Sequence, residues 1–188
     1  MSIKKFYKLG KNELFPICRS ITGNGIRKTL KIIKKNFSKL QIHEVPSGTK
    51  VFDWSVPREW NIVDAYVIDK KNKKIIDFKK NNLHLINYSI PINKVITKRE
   101  LFKNIHSLPK LPKAIPYITS YYNNNWGFCI NHKQKLFFEK KYKSHDKFKV
   151  VIKSNFKNNG SLTYGELIIP GKSKKEILIS TYICHPSL

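Results

Sequence analysis

Residues 177–183 form an apolar run, I-L-I-S-T-Y-I, that delivers Cys184, His185 and Pro186. A histidine at the C-terminal end of a buried strand is a common place for a metal ligand or catalytic group. Neutral imidazole is a good Zn²⁺ ligand, and a strand end holds it rigidly over a cleft. Pro186 stiffens the turn that aims it. On chemistry alone His185 reads either as such a ligand or as an ordinary loop histidine. Cys184 is adjacent, and successive side chains of a strand point to opposite faces, so its thiol is expected to pack. A buried strand also needs neighbours on both sides. The run therefore predicts an N-terminal fragment of a larger α/β protein, cut just after the first residue of its site.

Other chemistry-bearing residues are scattered. His43, His84, His106, His132 and His145 share no known site spacing, and there is no H-E-x-x-H. Asp64, Asp69 and Asp77 fall on two adjacent predicted strands and read either as a carboxylate cluster or, as expected of a hairpin, as salt-bridge partners of the surrounding lysines. Gly23-Asn24-Gly25 lacks the third glycine and the preceding strand of a dinucleotide fingerprint, and reads as a flexible link into a helix. Trp126-Gly127-Phe128, after Tyr121-Tyr122-Asn123-Asn124-Asn125, is the most ligand-like aromatic patch. The middle aromatics, including Trp54, Trp60 and Trp126, are expected mainly to fill a small β-rich core.

Those residues need elements to position them. Ile26, Leu30, Ile33 and Phe37 recur at helical spacing and predict a helix over about 25–38. Leu14, Phe15, Ile17 and Cys18 have near-helical spacing, interrupted by Pro16. Alternation predicts strands at 40–45, 61–69, 74–78, 148–153, 161–169 and 177–183. Pro57-Arg58-Glu59-Trp60 reads as a bend or one helical turn, and residues 81–88 and 94–97 as extended or irregular. Residues 99–105 read as a short helix capped near Thr97 or Lys98. The three prolines of 107–116 exclude helix and central strand. Tyr117–Tyr121 and Trp126–Ile130 look strand-like, and 132–136 looks like a helical turn.

Composition narrows the class. The chain has 188 residues, an apolar fraction of 40% and a net charge of +25. Only four of its 37 basic residues are arginine: Arg19, Arg27, Arg58 and Arg99. Lysines are spread over nearly every polar segment, with abundant Asn and Ile, as coding in an A/T-rich genome produces. Specific nucleic-acid binding is therefore not expected, though nonspecific attraction of polyanions at low salt is. No apolar stretch reaches the roughly 18 residues of a membrane span. The start, M-S-I-K-K-F-Y-K-L-G, lacks the apolar segment of a signal peptide. Three separated cysteines without C-x-x-C, and these absences, lead to the expectation of a cytoplasmic protein with reduced thiols and no membrane partner.

Several longer motifs carry a resemblance. They are Leu14-Phe15-Pro16-Ile17-Cys18-Arg19-Ser20-Ile21-Thr22-Gly23, Asp53-Trp54-Ser55-Val56-Pro57-Arg58-Glu59-Trp60 and Ile115-Pro116-Tyr117. Trp126-Gly127-Phe128-Cys129, Gly160-Ser161-Leu162-Thr163-Tyr164-Gly165-Glu166 and Cys184-His185-Pro186-Ser187-Leu188 complete the set. Together they resemble the DUF4910 aminopeptidase-like family, whose members are often labelled polysaccharide-biosynthesis proteins. That family is similar to M28-type zinc aminopeptidases. The resemblance implies an α/β fold, an M28-like α/β/α sandwich represented here by its N-terminal part, with an inserted mostly-β domain of DUF2172 type. The implied boundaries are 1–44, 45–145 for the insert, and 146–188. It also implies Zn as cofactor of the parent protein, with His185 as its first ligand. Those enzymes usually carry an aspartate two residues later, where this chain has Ser187. The remaining ligands and the base would lie beyond Leu188, so the fragment alone is expected to be inactive, with zinc binding weak or absent. The implied partner is a peptide or amide-containing small molecule, glycan-linked substrates included, and a homo-oligomer is compatible. A rival reading is a non-catalytic glycan- or peptide-binding protein on a peptidase scaffold.

Overall fold

The computed structural model describes residues 2–120 and 123–185. The first helix, α1 (Ile3–Leu9), runs on into a π-helical turn, Gly10–Leu14, and ends before Pro16, which cannot continue a helical hydrogen-bond ladder. Helix α2 (Asn24–Asn36) follows. Strand β1 (Gln41–Pro46) leads to a two-stranded hairpin, β2 (Lys50–Val51) with β3 (Trp54–Ser55). Gly48 takes φ 88° in the turn before β2, a region L-residues avoid. Then come β4 (Glu59–Ile68), β5 (Lys74–Asp77), a 3₁₀ turn at Asn82–His84, and β6 (Ile92–Thr97). Helix α3 (Lys98–Lys103), β7 (Ile105–His106), β8 (Phe128–Cys129) and α4 (His132–Lys141) precede the long β9 (Lys147–Lys157) and β10 (Ser161–Glu166). The architecture is mixed α/β.

The chain divides into two compact units. One comprises residues 2–59 and 156–185, the other residues 60–155. In the first, β1 and β10 pair antiparallel from Gln41↔Glu166 to Pro46↔Ser161. Helix α2 presents Ile26 and Leu30, 1% and 2% exposed, to Leu40, and Ile33, Ile42, Ile183 and Cys184 pack around them. Gly165 sits in this ladder where a Cβ would come within 2.8 Å of Leu30 Cδ2, so a larger residue there would push the Leu30 side chain aside. The helical period read in the sequence is thus the face that makes this core.

The second unit is built on a four-stranded sheet in the order β5-β4-β9-β6. Strands β4 and β5 pair antiparallel, as do β6 and β9, with Ile92↔Ile152 through Thr97↔Lys147. Ala65, Val67, Ile76, Phe148, Val150 and Ile152 are buried along it. Helix α3 starts in a capping box: Thr97 Oγ1 accepts from the Glu100 N–H while the Glu100 carboxylate accepts from the Thr97 N–H.

Two buried aspartates tie this unit together. Asp69 accepts from the Tyr142 hydroxyl at 2.9 Å and from the N–H groups of Lys71 and Lys73. Asp146 accepts from Lys70 Nζ at 2.9 Å and from the Lys143 N–H. For Asp69, burial works to raise the pKa, but the bonds from Lys73, Tyr142 and Lys71 outweigh it and hold the carboxyl below its usual range. The Lys70 bond, then that from Lys143, does the same for Asp146. Folded pKa values below unfolded ones mean stability that is complete above about pH 4 and is lost as pH falls through the folded values. The melting temperature of the chain is therefore expected to fall on acidification below that point, and less steeply in Asp69→Asn. Identical acid profiles for the two proteins would remove Asp69 from the account.

Several elements differ from the sequence reading. Residues 177–183 form no strand. Ile177, Leu178, Ile179 and Tyr182 are 79–93% exposed, and no ladder partner for them occurs among the described residues. An apolar run supplies β-propensity, but a strand exists only through the hydrogen bonds of a neighbour. Glu59-Trp60 opens β4 instead of forming a bend or a helical turn, whereas the extended reading of 94–97 holds in strand β6. The run 126–130 contributes only the two residues of β8, and the helical turn at 132–136 extends to Lys141. Of the three tryptophans only Trp60 is fully buried, at 3% exposed, while Trp54 and Trp126 are half-buried.

Candidate functional site

His185 sits on a turn that is anchored from two directions. Ile183 and Cys184, just before it, pack against the Ile26–Leu30–Leu40 cluster. The His185 carbonyl accepts a hydrogen bond from Arg19 Nη2 at 3.1 Å. Arg19 is 5% exposed, and its Nη1 donates to the Leu14 carbonyl. The loop that carries Arg19 is itself fixed. Ser20 Oγ donates to the Thr22 carbonyl at 2.9 Å, and Thr22 bridges to Leu162 at the start of β10. At Gly25 a Cβ would stand 1.9 Å from the Cys18 carbonyl oxygen, so the first turn of α2 lies directly on the Cys18–Arg19 main chain. Gly23, with φ 90°, makes the turn into that helix. The Ser20–Gly25 segment, which reads as a flexible link, is a tightly built loop.

The electrostatics of this corner favour neutral side chains. Burial, then the Arg19 charge, holds the His185 imidazole below its ordinary pKa. Burial pushes the Cys18 thiol up to about 12 against the pull of Arg19, and raises Cys184 as well. Both cysteines are thiols at neutral pH, not nucleophilic thiolates. A neutral imidazole is the form that ligates Zn²⁺, so His185 fits one ligand position. Among the described residues no group of three His, Cys, Asp or Glu side chains comes together to hold a metal ion. Pro186, Ser187 and Leu188 lie outside the described residues.

The structure separates the other histidines. His43, on β1, stacks on Tyr164 with ring centroids 5.0 Å apart and approaches Glu166 at 3.3 Å. His84 Nδ1 lies 2.7 Å from the Cys129 carbonyl oxygen, and burial lowers its pKa. His132 meets Ser107 Oγ at 3.0 Å, and His145 is exposed. Asp64 and Asp77 pair with Lys79 and Lys74 at 3.6 and 3.9 Å, the hairpin salt bridges expected of them. In the aromatic patch Gly127 and Phe128 are buried and Trp126 meets Phe128 edge-on, so these residues belong to packing. Tyr121 and Tyr122 lie outside the described residues.

One constellation draws its members from separate stretches of the chain. Arg27, on α2, grips Glu59 with two bonds, Nη2 to Oε1 at 2.6 Å and Nη1 to Oε2 at 2.9 Å. The Ser161 N–H donates to the same carboxylate at 3.2 Å. Glu44 and Lys157 stand at 3.7 and 3.9 Å, and with Pro46, Ser47 and Gly160 they line a cleft of about 610 Å³. The available signal was the scarcity of arginine: in a chain that uses lysine wherever a solvated cation will do, an arginine marks a fork-shaped requirement. Arg19 and Arg27 both meet one.

No helix among the described residues is long and apolar enough to cross a membrane. Compared with known proteins, the chain is 56% identical over 176 residues to a Clostridium acetobutylicum protein. That relative is named as a candidate polysaccharide biosynthesis protein with an aminopeptidase-like domain; the match covers 94% of this chain and 39% of the relative. A crystal structure of a candidate peptidase, also from Clostridium acetobutylicum, superposes with a TM-score of 0.88 at 53% identity. It covers 98% of this chain and 42% of the solved one. The chain thus spans about two fifths of the length of these relatives. Its mixed α/β architecture is that of a peptidase-like structure, and with residues 7–188 matching the family described as Domain of unknown function (DUF4910), the chain belongs to that family.

Proposed function

We propose that the chain is the part of an aminopeptidase-like hydrolase that presents the first metal ligand, His185, to a zinc site completed by other residues of the longer protein. In this reading the fold is an M28-like α/β/α sandwich and the substrate is a peptide or amide bond, with glycan-linked amides in view because of the relative's name. The observation that carries it is the anchored turn that offers a half-buried, neutral imidazole. When bound, zinc would polarise the amide carbonyl and acidify water. This chain's own task is to hold the imidazole neutral and in place.

Zinc content of the full-length Clostridium relative tests this, measured with and without alanine at the position aligned with His185. The expected result is near-stoichiometric zinc in the parent and a large loss in the variant. Equal content in the two removes the ligand assignment. A second reading, a peptide- or glycan-binding protein on the same scaffold, draws on Ser187, an uncharged residue where the resembling enzymes carry an aspartate. It predicts a parent that retains peptide or glycan without zinc and without hydrolysis.

A further inference from the structure

We propose that Arg19 is the positioning residue for His185, fixing the imidazole through the main chain of the histidine itself. The inference rests on the reading of His185 as a site residue, and it deepens that reading. Arg19 stands at 5% exposure, and a guanidinium is costly to bury unless its donors are used. Two of them go to main-chain carbonyls 171 positions apart in sequence, Leu14 and His185. A planar fork reaches the two with separate nitrogens, Nη1 and Nη2, whereas lysine, the cation this chain uses almost everywhere else, has a single nitrogen to offer.

Both ends of the clamp are built for it. On one side Gly25, with no room for a Cβ, lets α2 press on the Cys18–Arg19 backbone, and the Thr22–Leu162 bridge holds the loop to β10. On the other side the approach to His185 is free: Ile177, Leu178, Ile179 and Tyr182 are exposed. Among the described residues the turn is held from Ile183 onward by the apolar contacts of Ile183 and Cys184 and by the Arg19 bond. The apolar contacts set the height of the turn over the core. The bond at His185 fixes the backbone from which the ring projects. Histidine ligands are commonly oriented through their second ring nitrogen. The Arg19 bond acts on the backbone.

The test uses proton–carbon NMR of the imidazole Hε1 signals in the 188-residue chain, with His185 assigned by its disappearance in His185→Ala. In Arg19→Gln and Arg19→Lys the His185 signal is expected to collapse to its random-coil position, while that of His43, stacked on Tyr164 in the same unit, stays in place. If Arg19→Gln unfolds the unit and moves His43 as well, Arg19→Lys decides. A His185 signal that does not move in Arg19→Lys overturns the proposal. In the full-length Clostridium relative, lysine at the position aligned with Arg19 is expected to weaken zinc binding roughly 10- to 100-fold, the usual effect of losing a residue that orients a ligand. Undiminished zinc affinity there also overturns it. Should zinc content be indifferent to the aligned histidine, the zinc reading fails, and the NMR result still decides whether Arg19 holds the turn.

Discussion

Amide exchange in the β1–β10 ladder is expected to accelerate more than a hundredfold in Glu59→Ala. The Glu59 side chain is 4% exposed and takes two bonds from Arg27 and one from the Ser161 N–H. Removing it leaves the half-buried guanidinium with Asn24 Oδ1 and the more distant Ser161 Oγ and Glu44, and takes the acceptor from the buried Ser161 N–H. Breaking a buried ion pair from one side costs about 3–5 kcal/mol. Arg27 keeps some solvent contact, at 23% exposure, so about 3 kcal/mol is the appropriate figure. The surrounding charges are minor by comparison. Lys157 and Glu44 are half exposed and stand 3.9 and 3.7 Å away, and such pairs contribute about 0–1 kcal/mol. Lys157→Ala should therefore leave exchange almost unchanged. Residue-resolved exchange is the suitable measurement, because a chain of two units need not unfold in one step. A change below tenfold in Glu59→Ala would show that the pair is ornamental. A double-mutant cycle with Arg27→Ala should return most of the effect as coupling.

The same pair explains Gly160, which immediately precedes β10. A Cβ there would lie 2.1 Å from Glu59 Cβ and 3.0 Å from Oε2. The glycine is what allows the chain to cross so close to the carboxylate that the Ser161 N–H can reach it. Glu59 and the Gly160–Ser161 corner are separated by a hundred residues, yet each requires the other. The quoted motifs P-R-E-W and G-S-L-T-Y-G-E thus meet at one carboxylate.

What was legible in the sequence was what repeats locally. Ile26, Leu30 and Ile33 fix α2 because a helical face shows in 3.6-residue spacing, and β1, β4, β5 and β9 follow from alternation of two. Thr97 marks the start of α3 because a helix cap is complete within a few residues, and the structure adds Glu100 as the second half of a capping box. The misreadings share a cause as well. Residues 177–183 have the composition of a strand, but pairing is a property of two segments. Glu59-Trp60 follows a proline and looks like a bend, but its strand state comes from the sheet it joins. At the candidate site, His185 could be picked out from its place after an apolar run. Arg19 could not be connected to it, because a side chain bonding a carbonyl 166 residues away leaves no period and no spacing. Its identity as one of four arginines, and its place in the Leu14–Gly23 motif, hinted that the position asks for more than charge.

The second large effect is expected in the other unit. Trp60→Ala should destabilise residues 60–155 by about 3–5 kcal/mol, the range for deleting a buried aromatic side chain. Trp60 is 3% exposed and stacks on Tyr88, itself 1% exposed, with centroids 5.7 Å apart. Its indole N–H donates to the Ser89 carbonyl at 3.0 Å. That carbonyl also accepts from Ser154 Oγ at 2.7 Å, so the substitution does not leave it without a donor, and the loss is one of packing more than of hydrogen bonding. Trp60→Phe separates the two: it keeps an aromatic partner for Tyr88 and should cost about 1 kcal/mol for the lost bond, plus a further contribution from the smaller ring. Tyr88 has φ 65°, an unusual conformation for a bulky residue, and the stacked indole lies on the ring that this backbone directs inward. Trp54 and Trp126 are half-buried, and alanine at either should cost clearly less. Exchange at the β4 and β9 amides compares Trp60 with Trp126, the two that belong to this unit. If Trp126→Ala opens that sheet as far as Trp60→Ala does, the unit is held by its rim and not by the Trp60–Tyr88 stack.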